Sequence, residues 1–140
     1  MGYLFDSNAI SEVFRPRPNE LFTAWLNTIP REDQYTTALV IGELYTVAYR
    51  SQAREKWMKR IDEAVIPALT VLTMDPRTAR IYGQVRGQLM SEGRPVGDSD
   101  LQIGASALRF DLTLVTANVR HFQRIPDLRL KTFAPGSQGA

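Results

Sequence analysis

The sharpest constraint in this 140-residue chain is an abrupt change of pattern within its first dozen residues. Tyr3, Leu4 and Phe5 form a short apolar run of strand-forming types, and Asp6, Ser7 and Asn8 follow without a spacer. Ala9, Ile10 and Val13 then resume apolar positions at helical period. The pattern predicts a buried strand, a sharp stop, and a helix capped by Asp6 or Ser7. A carboxylate is thereby fixed at the C-terminal end of a strand, the edge at which open α/β sheets bind ligands. Whether other carboxylates reach that edge decides what such a chain can do.

Arg15-Pro16-Arg17-Pro18 ends the first helix, because proline restricts the residue before it and donates no backbone hydrogen bond. Asn19 caps a second helix to about Asn27, with Leu21, Phe22, Trp25 and Leu26 as its apolar face. Residues 28–33 read as a loop and Gln34–Thr37 as a short strand. From Ala38 to Arg50 the chain is apolar nearly all round, which predicts a helix buried on every side, with Glu43 in its middle. A buried carboxylate is paired, protonated or metal-bound. Residues 51–66 read as a basic amphipathic helix, with Trp57, Ile61, Val65 and Ile66 at helical spacing, closed by Pro67. Leu69–Met74 is a strand candidate. Asp75-Pro76 opens a helix to about Glu92, with Ala79, Tyr82, Val85 and Leu89 inward and Gly93 as its end.

Asp98 and Asp100 precede a helix whose small residues Gly104, Ala105 and Ser106 permit close packing. Leu112–Val115 reads as a strand, Thr116-Ala117-Asn118 as the turn at its end, and Leu128–Phe133 as a last strand. Residues 134–140 read as a disordered tail after a single domain spanning 1–133. Strands alternating with helices predict an α/β fold with a mainly parallel sheet.

Composition narrows the chemistry. No apolar run approaches the ~18 residues of a membrane span, and the N-terminus has neither a basic region nor a signal-like core. Cysteine is absent, which removes disulfides, thiolate zinc sites and thiol nucleophiles and points to a cytoplasmic setting. One histidine, His121, excludes a two-histidine acid/base pair within one protomer and a His/His zinc site. No G-x-S-x-G elbow accompanies it. The net charge is +2, unevenly spread. Residues 1–50 carry four basic against six acidic side chains, and residues 51–95 eight against five. An acidic front beside a basic middle fits a metal site next to a phosphate-binding surface, or simply solvated helix faces.

Asp6, Glu43, Asp98, Asp100 and Asn118 all fall at strand ends, helix starts or in the buried helix. Several carboxylates gathered there repel one another unless a divalent cation holds them. Mg²⁺ takes oxygen ligands, few of them from protein, and keeps waters. Within this set, LFDSNAISE, IGELY, RPVGDSDLQIGASA and LVTANVRHFQRIPDL, in this order and spacing, resemble the PIN-domain ribonucleases, and among them the VapC toxins of bacterial toxin–antitoxin pairs. The likeness covers residues 3–133.

The resemblance implies a three-layer α/β sandwich, a central, mainly parallel sheet flanked by helices. It implies a Mg²⁺-dependent endoribonuclease, with Mn²⁺ as substitute, that hydrolyses RNA phosphodiesters, forms a homodimer and is blocked by a VapB-like antitoxin. The family's acidic residues fall on Asp6, Glu43 and Asp100, and its fourth acidic position on Asn118. Asp6 and Asp100 are then metal ligands, with Glu43 and Asp98 as further candidates; Asp98 reads equally as a helix cap. Ser7 and Thr116 occupy supporting hydroxyl positions. Arg86 reads either as a partner for Glu43 or as an RNA contact, Arg120 as an RNA contact or a surface residue, and His121 as a surface or packing residue. Two alternatives stand beside this reading. A dehalogenase-like phosphatase also uses an Asp after its first strand, but it wants a second Asp where this chain has Asn8. A catalytically silent PIN-like protein would bind RNA or a partner without cutting.

Overall fold

The computed structural model describes residues 1–137 as a central sheet flanked by helices. The first strand, β1, is Tyr3–Phe5, and α1 is Ser7–Glu12. Helix α2 is Glu20–Leu26, strand β2 is Gln34–Thr37, and helix α3 is Ala38–Arg50. Helix α4, Arg54–Arg60, widens into a π-turn at Ile61–Val65 and tightens into a 3₁₀ turn at Ile66–Ala68, where Pro67 closes it. Strand β3 is Thr70–Leu72 and helix α5 is Pro76–Ser91. Helix α6, Asp98–Arg109, strand β4, Thr113–Val115, helix α7, Val119–Phe122, and strand β5, Leu130–Lys131, complete the order.

Every strand pairing is parallel, in the order β3-β2-β1-β4-β5. The chain winds outward from β1 to β3, then crosses back to lay β4 on the other side of β1. Between β1 and β4, which run in register from Tyr3↔Thr113 to Phe5↔Val115, lies the topological switch point. In such sheets the crevice beyond the strand ends at this point is the usual binding site. Leu4, Leu114 and Val115 are wholly buried here. Each such side chain contributes about 1.5–3 kcal/mol by leaving water.

The local signals act as the sequence predicts at several joints. Asp75 caps α5 through a 2.7 Å bond from the Thr78 amide, and Pro76 takes the first helical position. Gly93, with φ of +66°, ends that helix in the left-handed conformation. Gly104 lets α6 lie against the 125–128 segment, since a Cβ there would come within 2.6 Å of Ile125 Cδ1. Trp25 packs edge-on to Tyr3 at 4.9 Å, and Trp57 lies against Phe14.

Other expectations are corrected. Helix α3 is not buried all round, for Val47 and Tyr49 are each 56% exposed. Leu21 is exposed on α2, and on α5 Thr78 rather than Ala79 turns inward. The loop at 28–33 contains a 3₁₀ turn, Arg31–Asp33, and the last strand is only two residues long. The expected tail is bound as far as it is described. Ser137 bridges to Arg17, and the Gly136 amide donates to Glu12 at 2.7 Å. Residues 138–140 lie outside the described residues. No helix among the described residues is long and apolar enough to cross a membrane.

Candidate active site

Asp6 stands at the end of β1 because the apolar strand stops there and its side chain caps α1, accepting the Ala9 amide at 2.8 Å. It is 4% exposed. Burial pushes its carboxyl upward; the Thr116 hydroxyl and the Ala9 and Asn8 amides oppose this, and Asp100 adds to it. Thr116, wholly buried at the end of β4, touches both sides of the site: its hydroxyl bonds to Asp6 and accepts the Asn118 amide at 2.9 Å. Adjacent parallel strands ending together thus bring Asp6 and Thr116 into contact.

Glu43 comes from the side facing these strand ends, on α3. It is half-buried and forms no ion pair among the described residues. Arg86 is therefore not its structural partner. The Glu43 carboxyl is pushed up by burial, then by Asp100 and by Asp6. Asp100 arrives from the first turn of α6, partly buried, and its carboxyl is likewise raised by burial, with His121 opposing. Three carboxylates from β1, α3 and α6 therefore sit within one another's fields.

The remaining predicted residues divide. Asp98, fully exposed, is engaged elsewhere: Tyr82 of α5 donates its hydroxyl to it, and Gln102 Nε2 donates at 2.9 Å. These bonds, with Arg86 nearby, hold its carboxyl below the usual range. It is the first helical residue and caps nothing; Gly97 occupies the cap position. The Ser7 hydroxyl bonds to no protein group among the described residues. Asn118 is half-buried at the start of α7 without a side-chain capping bond. His121, read from sequence as a surface or packing residue, approaches the site: its Nδ1 is 3.3 Å from Asp100 Oδ2. Its place three residues after Asn118, one helical turn on, was the available signal.

The donor set suits a hard divalent ion, being oxygen from carboxylates whose repulsion such an ion would relieve. The side chains do not form a closed cage: among the described residues, no three His, Asp or Glu groups converge tightly enough to hold a metal unaided. An ion that keeps waters and takes a substrate phosphate oxygen fits that openness.

Residues 3–128 match the family profile of the PIN domain. Over 124 residues, 85% of this chain and 89% of the relative, the sequence is 33% identical to Toxin FitB of Neisseria gonorrhoeae. Over 132 residues it is 31% identical to the tRNA(fMet)-specific endonuclease VapC of Salmonella typhimurium, covering 94% and 97% of the two chains. The fold superposes on the crystal structure of FitAcB from Neisseria gonorrhoeae with a TM-score of 0.84 at 29% identity, covering 91% and 95%.

Proposed function

The chain belongs to the PIN-domain family, in its VapC-like branch, and from that premise we propose that it is a metal-dependent endoribonuclease acting as the toxin of a toxin–antitoxin pair. The observation that carries the reading is the group of three carboxylates at the switch point, of which Asp6 and Glu43 have no cationic partner among the described residues. Charge left uncancelled inside a protein is there for something that binds.

Asp6, Asp100 and Glu43 are the residues that would hold Mg²⁺ or Mn²⁺. Bound there, the ion would supply positive charge to a phosphodiester and acidify a water. The chain's own groups prepare the ground. Thr116 and two backbone amides fix the Asp6 carboxylate and favour its ionised form against burial. Glu43, raised by burial and then by its acidic neighbours, is suited to take a proton from an attacking water at its carboxylate oxygen. Asn118 brings a polar amide but no charge, so one ion per protomer is held firmly before RNA arrives.

Partners follow from the same features. A cationic side chain of a VapB-like antitoxin would neutralise Asp6 and Asp100. Apolar contacts would support it in the 140 Å³ cavity formed by Ile10, Val13, Phe14, Leu26, Val65 and Leu69. The exposed Val47 and Tyr49, on different sides of α3, leave apolar surface there for a second copy. The setting is cytoplasmic, where RNA and antitoxin are made. A silent binding protein is the second reading, favoured by Asn118 and by the open carboxylate geometry.

Incubation of the purified protein with RNA in Mg²⁺ or Mn²⁺ separates the two. Cleavage that stops with EDTA is expected. RNA left intact under all conditions would establish the silent reading, and cleavage undiminished by EDTA would remove the metal from the proposal. Expression alone should arrest growth, and co-expressed antitoxin should relieve it.

A further inference from the structure

Beside the carboxylates, and sharing Asp100 with them, lies a group of cationic side chains that the chemistry above does not use. An open recess of about 390 Å³ is lined by Pro95, Gly97, Asp100, Arg120, His121 and Arg124. Its cations come from α7 and the residues just after it. Arg124 Nη1 donates to the Pro95 carbonyl at 3.3 Å, which fixes that guanidinium against the opposite wall. Arg120 forms no hydrogen bond or ion pair among the described residues. The one carboxylate of the recess, Asp100, is contacted by His121, which lessens its repulsion of an anion there.

We propose that this recess seats a phosphate of the RNA backbone other than the one being cut, so that the strand crosses α7 on leaving the carboxylates. The proposal rests on the ribonuclease reading and adds the path of its substrate. Asp100 belongs to both the carboxylate group and the recess, so a strand with one phosphate at the carboxylates has a neighbouring phosphate within reach of Arg120 and Arg124. Guanidinium groups match phosphate oxygens in pairs. Such contacts set register and affinity without reading sequence. The other candidate cation, Arg86, is not part of the recess; it lies in the field of Asp98, which takes up part of its charge.

The test uses a fluorescein-labelled single-stranded RNA of mixed sequence with wild type, the double variant Arg120→Ala/Arg124→Ala, and Arg86→Ala. The double variant should bind about tenfold more weakly and lose affinity less steeply with salt. Its KM should rise about tenfold with kcat held within about twofold, the signature of lost uniform binding. Arg86→Ala should change both much less. Equal binding by the double variant and wild type at every salt concentration overturns the recess, as does a larger loss in Arg86→Ala. Because Arg124 also ties down Pro95, Arg120→Ala alone carries the test if the double variant unfolds. Wild type that binds RNA without ever cutting it, with binding lost in the double variant, sinks the nuclease reading and upholds the recess. Cleavage with unchanged KM in the double variant does the reverse.

Discussion

Helix α1 has a buried carboxylate at each end, and the two are treated in opposite ways. Glu12, 1% exposed, is fully answered from within the chain. Its Oε1 is 3.0 Å from Arg15 Nε, and its Oε2 accepts the amides of Asn19 at 2.8 Å and Gly136 at 2.7 Å. Asp6, 4% exposed, receives hydrogen bonds but no cation, and what faces it is Asp100 and Glu43. Burial alone thus does not mark a functional group. A carboxylate whose charge is cancelled locally ties the structure together; one surrounded by others of its sign is left with its charge uncancelled, the feature on which the proposed metal site rests.

The comparison breaks most visibly in activity. On the proposed metal-dependent mechanism, Asp6→Asn and Asp100→Asn should each lower RNA cleavage about a thousandfold, equivalent to about 4 kcal/mol of transition-state stabilisation. Both should fold, and in EDTA should melt no lower than wild type, because a repelling charge has gone. Full activity in either purified variant would end the assignment of that residue to the site.

Glu12→Ala should do the converse. It strips Arg15 of its ion-pair partner and two backbone amides of their acceptor, so unfolding in urea should show a loss of about 3 kcal/mol. Cleavage per folded molecule should stay near wild type. A stable but inactive Glu12→Ala protein would erase the contrast between the two ends of α1.

Asp6 was legible because its cause is local: a strand that stops, and a cap bond to Ala9 three residues on. The cap at Asp75 and the glycine exit at Gly93 were legible for the same reason. Glu12 was not, because the Gly136 amide that satisfies it lies 124 residues away, in a segment whose composition reads as disordered. The proximity of His121 to Asp100 depends in the same way on how α6 and α7 meet. Periodicity also misjudged α3: an apolar residue facing solvent looks in sequence like one facing the core, and only the fold tells Val47 from Leu44. Glu43 shows the limit most clearly. Its burial left a paired, a protonated and a metal-bound state open, and the structure supplies no ion-pair partner among the described residues.

A finer probe of the same end of α1 is Thr116→Val, which keeps the shape and removes the hydroxyl. The Asn118 amide then loses its acceptor and Asp6 a donor, so stability should fall by about 1 kcal/mol. With that donor gone, the Asp6 carboxyl should rise further, moving the acid limb of the cleavage profile to higher pH. Thr116→Ser should restore both. An unshifted profile would show that the hydroxyl does not bear on the ionisation of Asp6.

The smallest effect lies in how the Asp6 end of α1 responds to acid. The Asp6 carboxyl is raised above its ordinary value of 3.8, with burial as the chief cause and Asp100 adding to it. A raised carboxyl binds its proton more readily in the folded state than in the unfolded one. Its contribution to stability is therefore fully present below about pH 3.8, the unfolded value, and is lost as pH rises through the folded value. Ionised Asp6 thus weakens the metal-free fold at neutral pH, and Asn, which has no charge to bury, does not. In EDTA, Asp6→Asn should melt above wild type at pH 7 by a margin that narrows steadily on acidification. Mn²⁺ should close the margin from the other direction, by stabilising wild type at neutral pH through binding. A margin that stays constant with pH would mean that burial of the Asp6 charge does not strain the fold.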